Sequence, residues 1–418
     1  MQKQEAAAIR MKQITDEVKV LFPALLDLEK LLRLNALEPF NADGVSFLDA
    51  LSKALNGDPQ IRNFPEVATF AFFCRKANIL KLKEQYGKEE HLRLGRGIVF
   101  HIAPSNVPVN FAFSLMCGIL SGNSNIVRVP SKPFEQVEMI CNAIVKLAGT
   151  GNHQQITDRM ALVRYDRQSS ATSRFSSICD VRVIWGGDET IADIKKNPIP
   201  PRAFDVTFAD RYSMCIINAD HFVDEQTPDK VAAGFYNDTY LFDQNACTSP
   251  HLVVWIGSVE NVRHSKKVFW DHLHRVVEIK KYELQAITAV DKLTAFYKQA
   301  IETKGFHKNE TRDNILWRVE INRLPDNIDE FRCQGGYFTE YHAATLADIA
   351  PVINRKYQTL AYYGFHHSEL VDFIKNTKPS GIDRIVPIGK TTDFSLIWDG
   401  YDLIRTLSRV VEIIRKGG

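Results

Sequence analysis

Gly97-Ile98-Val99-Phe100-His101-Ile102-Ala103, Pro104-Ser105-Asn106-Val107-Pro108, residues 109–120, and Asn125-Ile126-Val127-Arg128-Val129 are the stretches whose reading decides the fold. The first is a short apolar run of the kind that forms a buried strand. The second, with two prolines around Asn106, is a turn. The third is apolar on nearly every side, as a buried helix is, and Ser121-Gly122-Asn123 stops it. The fourth is a second strand. Pro130-Ser131-Lys132-Pro133 then opens a helix with Phe134, Val137, Ile140, Cys141, Ile144 and Val145 on one face. Strand, helix, strand, helix is the pattern of an α/β chain with a doubly wound, Rossmann-like sheet.

The alternation continues outward. Residues 161–165 predict a strand and 169–178 a helix. Val181-Arg182-Val183-Ile184-Trp185 predicts a strand ending in Gly186-Gly187-Asp188-Glu189-Thr190, where another helix begins. Two glycines between strand and helix can bring backbone N–H groups close to a phosphate. A plain turn is the competing reading, since the dinucleotide fingerprint G-x-G-x-x-G is missing; Gly95 and Gly97 precede their strand instead of following it. On the amino-terminal side, residues 1–90 read as helical. Val20, Leu21, Leu25, Leu26, Leu28, Leu31 and Leu32 recur at helical spacing, further helices are predicted over 46–55 and 65–86, and residues 1–19 suit an amphipathic surface helix.

On the carboxyl-terminal side, residues 214–218 predict a strand, and 231–241 lead into Asp243-Gln244-Asn245-Ala246-Cys247-Thr248-Ser249-Pro250. The apolar run His251-Leu252-Val253-Val254-Trp255-Ile256 follows at once, which puts Cys247 at the mouth of a buried strand. A thiolate there is a strong nucleophile, and acyl transfer is its commonest enzymatic task. Simple core packing is the competing reading, because free cysteine is among the most buried residue types. Residues 260–330 predict helices and connecting strands. Cys333-Gln334-Gly335-Gly336 is a glycine-rich turn, 360–365 a strand, and the chain closes on a short helix rich in Leu, Ile and Arg.

Composition narrows the function classes. The chain has 418 residues, 45% hydrophobic and 24% charged, enough for two or three domains. A formal net charge of +2 with no basic stripe argues against nucleic acid as a partner. None of the seven cysteines lies within four residues of another, so no zinc-type pair is expected. The odd, widely spaced set argues against a disulfide framework and for a reducing, cytoplasmic setting. No signal peptide is visible, and the longest apolar run is too short to span a bilayer.

Three segments in order resemble aldehyde dehydrogenases. Ala103-Pro104-Ser105-Asn106-Val107-Pro108 is similar to their proline–asparagine–proline turn. Gly122-Asn123-Ser124-Asn125-Ile126-Val127-Arg128 is similar to the strand after it, with Arg128 where a lysine usually stands; residues 244–247 resemble the nucleophile loop. Within that superfamily the details resemble the acyl-CoA reductase family of LuxC type. They are Asn106-Val107-Pro108-Val109-Asn110-Phe111, Cys247-Thr248-Ser249-Pro250, and the tail from Asp383-Arg384 through Trp398-Asp399-Gly400-Tyr401-Asp402-Leu403.

The resemblance implies NADPH-dependent reduction of an acyl thioester to the aldehyde through an acyl-cysteine. Cys247 would attack and expel coenzyme A, with the Asn106 amide and the Cys247 backbone N–H as oxyanion donors. An asparagine that merely forms its turn is the alternative for Asn106. NADPH would lie near Pro104 and Ser105, with Arg128, Ser131 and Lys132 at a 2′-phosphate and Gly186 and Gly187 at the pyrophosphate. Lys132 reads equally as an exposed surface lysine. Glu340 would hold the nicotinamide ribose. Aldehyde-oxidising relatives carry a general-base glutamate where this chain has Thr207, with Asp210 close by in sequence; a reductase has no use for a base that hydrolyses its intermediate.

Two other readings stay open. One is an aldehyde dehydrogenase making free acid, and the other a non-catalytic acyl-binding subunit of a reductase complex. The acyl donor is acyl-CoA or an acyl group passed on by a partner synthetase, and a homo-oligomer is expected. The expected divisions are 1–207 as helical segment and cofactor domain, 208–378 as the domain carrying the cysteine, and 379–418 as a carboxyl-terminal arm.

Overall fold

The computed structural model describes residues 17–87, 91–105, 107–309 and 313–414. The chain forms two compact units, one of residues up to 209 together with those from 401 on, the other of residues 210–400. The segment 379–418 is therefore divided between the two instead of standing as an arm.

The first unit is built on strands β1 (Lys19–Phe22), β2 (Leu92–Gly95), β3 (Ile98–Ile102), β4 (Ser124–Arg128), β5 (Met160–Arg164), β6 (Val181–Trp185) and β7 (Phe204–Phe208). Six of them make one sheet in the order β1-β5-β4-β3-β6-β7. All neighbours run parallel except β1, which pairs antiparallel with β5 at the edge. The order reverses beside β3. Chain leaves β3 for one side of the sheet and β6 for the other, which opens a crevice at their carboxyl ends. Helices Asn110–Leu120 and Glu135–Ala148 follow β3 and β4, and Asp188–Lys195 follows β6. A core of Ile98, Phe100, Ile126, Ala161, Val163 and Phe175 fills one face.

Three expectations change in this unit. Val20 and Leu21 lie in β1, paired with β5, and not in a helix. They are apolar because an edge strand lies over the core, and a run this short reads equally well at either period. The carboxyl-terminal helix is one turn, Leu403–Thr406, after which Ser408–Val411 pairs antiparallel with β2. The predicted helix over 65–86 is two helices, Pro65–Phe73 and Lys76–Glu84, parted at Cys74 and Arg75. Most of the predicted helix at 1–19 lies outside the described residues.

The second unit contains β8 (Tyr212–Asn218), β9 (Pro250–Ile256), β10 (Phe306–Lys308), β11 (Trp317–Ile321), β12 (Tyr337–Ala343), β13 (Tyr357–Tyr363) and β14 (Arg384–Pro387). They form a seven-stranded sheet in the order β10-β11-β12-β9-β8-β13-β14. Only β10 runs antiparallel to its neighbour. Strand β9 is central and buried at every residue, which explains why its sequence is apolar except at His251. Helices Pro228–Thr239 and Val259–Ile279 cover one face through Phe235, Phe269, Trp270 and Leu273. Ile328, Phe331, Ile349, Leu370 and Phe373 cover the other.

Candidate active site

Five of the seven cysteines are buried, Cys333 is half-buried, and Cys247 is exposed. Cys247 sits just before β9, at the amino edge of the second sheet. The turn that presents it is made of strained backbone: Asp243 and Gln244 have φ of 52° and 57°, a region that costs a non-glycine residue roughly 1–3 kcal/mol. Gln244 shows what holds them there. It is 2% exposed, and its amide nitrogen donates to the carbonyls of Pro250 (3.1 Å) and Tyr337 (3.3 Å). Its side-chain oxygen accepts from the N–H groups of Gly336 (2.6 Å) and Tyr337 (3.1 Å). Tyr282 donates to the Asp243 carboxylate (2.7 Å), and the Gly335 N–H to the Asp243 carbonyl (3.1 Å). The glycine-rich turn ahead of β12 is thus the clamp for the cysteine loop. Gly336 has φ of 87°, and a Cβ there would lie 2.2 Å from the Ile315 carbonyl oxygen.

Neighbouring strand starts supply the rest. Ser213 on β8 donates to the Cys247 carbonyl (2.7 Å) and accepts from the Thr359 N–H (3.2 Å). The Gln358 amide on β13 donates to Cys247 Sγ (3.8 Å) and also to the Asp399 carboxylate. Arg211, just before β8, pairs with Asp383 and donates to the Tyr357 carbonyl (3.3 Å). The thiol is pushed up to about 11, first by the protein packed around it and then by Asp399, against a pull from Gln358 and Arg211. Because the residue is exposed, water offsets part of the first cause. Among the described residues, the pull of Arg211 is outweighed, and the thiol stays protonated at rest.

The cofactor residues read from the first unit share the carboxyl edge of its sheet. Pro104 and Ser105 follow β3, Arg128 ends β4 with Ser131 and Lys132 exposed beyond it, and Gly186 and Gly187 follow β6. The Arg128 guanidinium lies over the Tyr165 ring (4.8 Å to its centre) and donates to the Tyr165 carbonyl (3.2 Å), while its Nε is buried and unpartnered. An unsatisfied buried guanidinium N–H suits a phosphate oxygen. A Cβ at Gly187 would meet nothing within 4 Å, so backbone is open there. The helix that begins at Asp188 carries Asp188 and Glu189 in its first turn, which already meet its positive end. The fit to a phosphorylated dinucleotide therefore rests chiefly on Arg128. Asn106 lies outside the described residues.

Glu340 is placed differently from its expected part. It is fully buried in mid-strand on β12. One oxygen accepts from Trp255 Nε1 (2.9 Å) and Trp270 Nε1 (2.8 Å), the other from Arg318 Nε (2.8 Å) and Asn309 Nδ2 (3.2 Å). Both oxygens are engaged, and no face is left for a ribose hydroxyl. Sequence reading missed Gln358, Ser213 and Arg211, which carry no local signature. Asp399 was quoted only as part of a motif.

The family model described as acyl-CoA reductase (LuxC) matches residues 76–412. The chain belongs to that family. Among curated relatives of this LuxC chain, the long-chain acyl-protein thioester reductase of Aliivibrio fischeri is 24% identical over 326 residues, 76% of this chain and 64% of that protein. The protein of the same name from Photorhabdus luminescens is 29% identical over 329 residues, 76% of this chain and 63% of that protein. The chain thus spans less than two thirds of the length of these relatives. Solved structures share the fold. Lactaldehyde dehydrogenase from Escherichia coli superposes with a TM-score of 0.55 at 12% identity, over 82% of this chain and 78% of that one. Proline utilization A from Corynebacterium freiburgense gives 0.62 at 15%, over 93% and 43%. The fold is aldehyde dehydrogenase-like, as the resemblance implied.

Proposed function

We propose that this LuxC-family chain reduces an acyl thioester to the aldehyde, with NADPH, through a covalent acyl group on Cys247. The observation that carries the reading is the cysteine on a strained loop clamped by Gln244, alone among the seven cysteines in being exposed. Its relatives' names point to long-chain acyl groups held as protein thioesters, so the donor proposed is a long-chain acyl thioester of a protein thiol or of coenzyme A.

Cys247 attacks the thioester carbonyl, and the donor thiol leaves. The Cys247 backbone N–H and the Asn106 amide are the proposed oxyanion donors, the second on its motif alone. Arg128, with Ser131 and Lys132, is proposed to hold a 2′-phosphate, with the backbone at Gly186 and Gly187 approached by the pyrophosphate. When bound, the cofactor supplies the hydride that converts the acyl-cysteine to a thiohemiacetal. Thr207, on β7, stands where a hydrolytic glutamate is carried by aldehyde-oxidising relatives; a threonine cannot act as that base, and the acyl-cysteine persists until it is reduced. Glu340 has no part in this account.

The test supplies tetradecanoyl-CoA and NADPH and follows products by mass spectrometry. Tetradecanal and one equivalent of free coenzyme A are expected. Tetradecanoic acid formed at the same rate with and without NADPH would overturn the reading.

A further inference from the structure

Cys247, with its thiol raised above the ordinary value, is almost wholly protonated at pH 7. The reaction proposed above needs that proton removed and kept at hand for the departing thiol. Gln358 is 2% exposed, and its single amide nitrogen faces both Cys247 Sγ, at 3.8 Å, and the Asp399 carboxylate. Sharing one nitrogen brings the carboxylate and the sulfur to a separation that one water can bridge. Asp399 is held at φ of 48° ahead of Gly400, a third strained residue beside the same cysteine. The charged groups that face the pair are Arg211, from before β8, and Asp383, from before β14, and they are bound to each other. Arg211 steadies a carboxylate at Asp399, whereas burial first and Asp383 last favour its neutral form. The carboxyl is thereby raised above its ordinary value, against the pull of the Gln358 hydrogen bond and Arg211.

We propose that Asp399 exchanges a proton with Cys247 during acyl transfer, and that Gln358 is the positioning residue that holds the two together. The inference rests on the acyl-cysteine reading. The S–H bond of Cys247 breaks as an O–H bond forms on Asp399. The thiolate then bonds to the acyl carbon as the donor's carbon–sulfur bond breaks. The expelled thiolate takes the proton from Asp399 and leaves as a thiol, so the carboxylate is restored and no other reactant is consumed.

The experiment measures two reactions of Cys247 across pH 5–9 by intact mass: acylation by tetradecanoyl-CoA without NADPH, and alkylation by iodoacetamide. Wild type should acylate at a nearly level rate above the Asp399 pKa. In Asp399→Asn, acylation at pH 7 should fall about 10²-fold and climb tenfold per pH unit. Alkylation should not slow, since the lost negative charge lowers the thiol pKa. Gln358→Met should lower acylation likewise, and Asp399→Glu should restore part of it. Unchanged acylation in Asp399→Asn, or acylation and alkylation falling together, would overturn the proposal. If wild type gains no acyl mass, the proposed reaction fails by itself. The proton coupling is then read from alkylation alone, where an alkylation rate in Asp399→Asn unchanged from wild type across pH 5–9 overturns it.

Discussion

Glu340 and Arg128 were read from sequence as two ends of one cofactor, and their surroundings set them apart. Glu340 neutralises Arg318 and satisfies two indole N–H groups inside the second unit. Glu340→Gln leaves Arg318 without its charge partner, a change that costs about 3 kcal/mol or more in a buried pair. We expect a lower unfolding midpoint with no change in KM for NADPH. Arg128→Ala should show the reverse: little loss of stability, and a KM raised far more for NADPH than for NADH. Thermal unfolding and initial-rate kinetics on both variants check this. A KM effect in Glu340→Gln without a stability loss would return that residue to the cofactor. The position of a glutamate along a sequence does not say whether it ends a strand or lies in the middle of one; only the register, Glu340 beside Val253 and Glu320, does so.

At the scale of elements, two histidines on central strands give the fold an acid limit. His101 on β3 is fully buried between Ser114 Oγ (2.7 Å) and Asn125 Oδ1 (3.1 Å), and burial lowers its pKa to about 4. His251 on β9, stacked on Tyr212, is lowered to about 3 by burial and then by Arg332. Both folded pKa values lie below the unfolded value of about 6.5, so the unfolded chain binds protons first as pH falls. Stability is full above about 6.5 and declines through pH 4. Urea midpoints at pH 7.5, 6, 5 and 4 should fall progressively, and less steeply in His101→Gln; a flat profile down to pH 4 would contradict this placement. Elements with long buried patterns were legible from sequence: β3, β6 and β9 are apolar at all but one position each (His101, Arg182 and His251), β4 has Ile126 and Val127 at its centre, and the helix at residues 110–120 has few polar positions. Short edges were not. Lys19–Phe22 and Ser408–Val411 are four residues each, and their partners, β5 and β2, are far away along the chain.

Across the whole molecule, the candidate residues are divided between two sheets that use opposite edges. The first presents the carboxyl ends of β3, β4 and β6, as open α/β sheets commonly do. The second presents the amino ends of β8, β9, β12 and β13, with the nucleophile ahead of its strand. The motif order along the chain carried this organisation, which is why Cys247, Arg128 and the glycine pair could be proposed from sequence. Gln358 and Ser213 reach the cysteine only because parallel strands bring distant residues to one edge. The account also turns on a residue the chain lacks. Thr207→Glu should restore a base, and a positioned base contributes typically ~10²–10⁴ in rate. The variant should release thiol and free acid from acyl-CoA without NADPH, and faster as pH rises and the new carboxyl ionises. Thiol release unchanged in a folded variant that still acylates would mean that the threonine is not what protects the intermediate.

The central claim is the covalent acyl group on Cys247. Its most direct measurement is the intact mass of the protein after incubation with tetradecanoyl-CoA in the absence of NADPH, followed by peptide mapping. The account predicts one added tetradecanoyl group, located on the peptide carrying Cys247, lost on addition of NADPH and absent from Cys247→Ala. An adduct of the same mass in Cys247→Ala, or aldehyde formed by that variant at the wild-type rate, would contradict it.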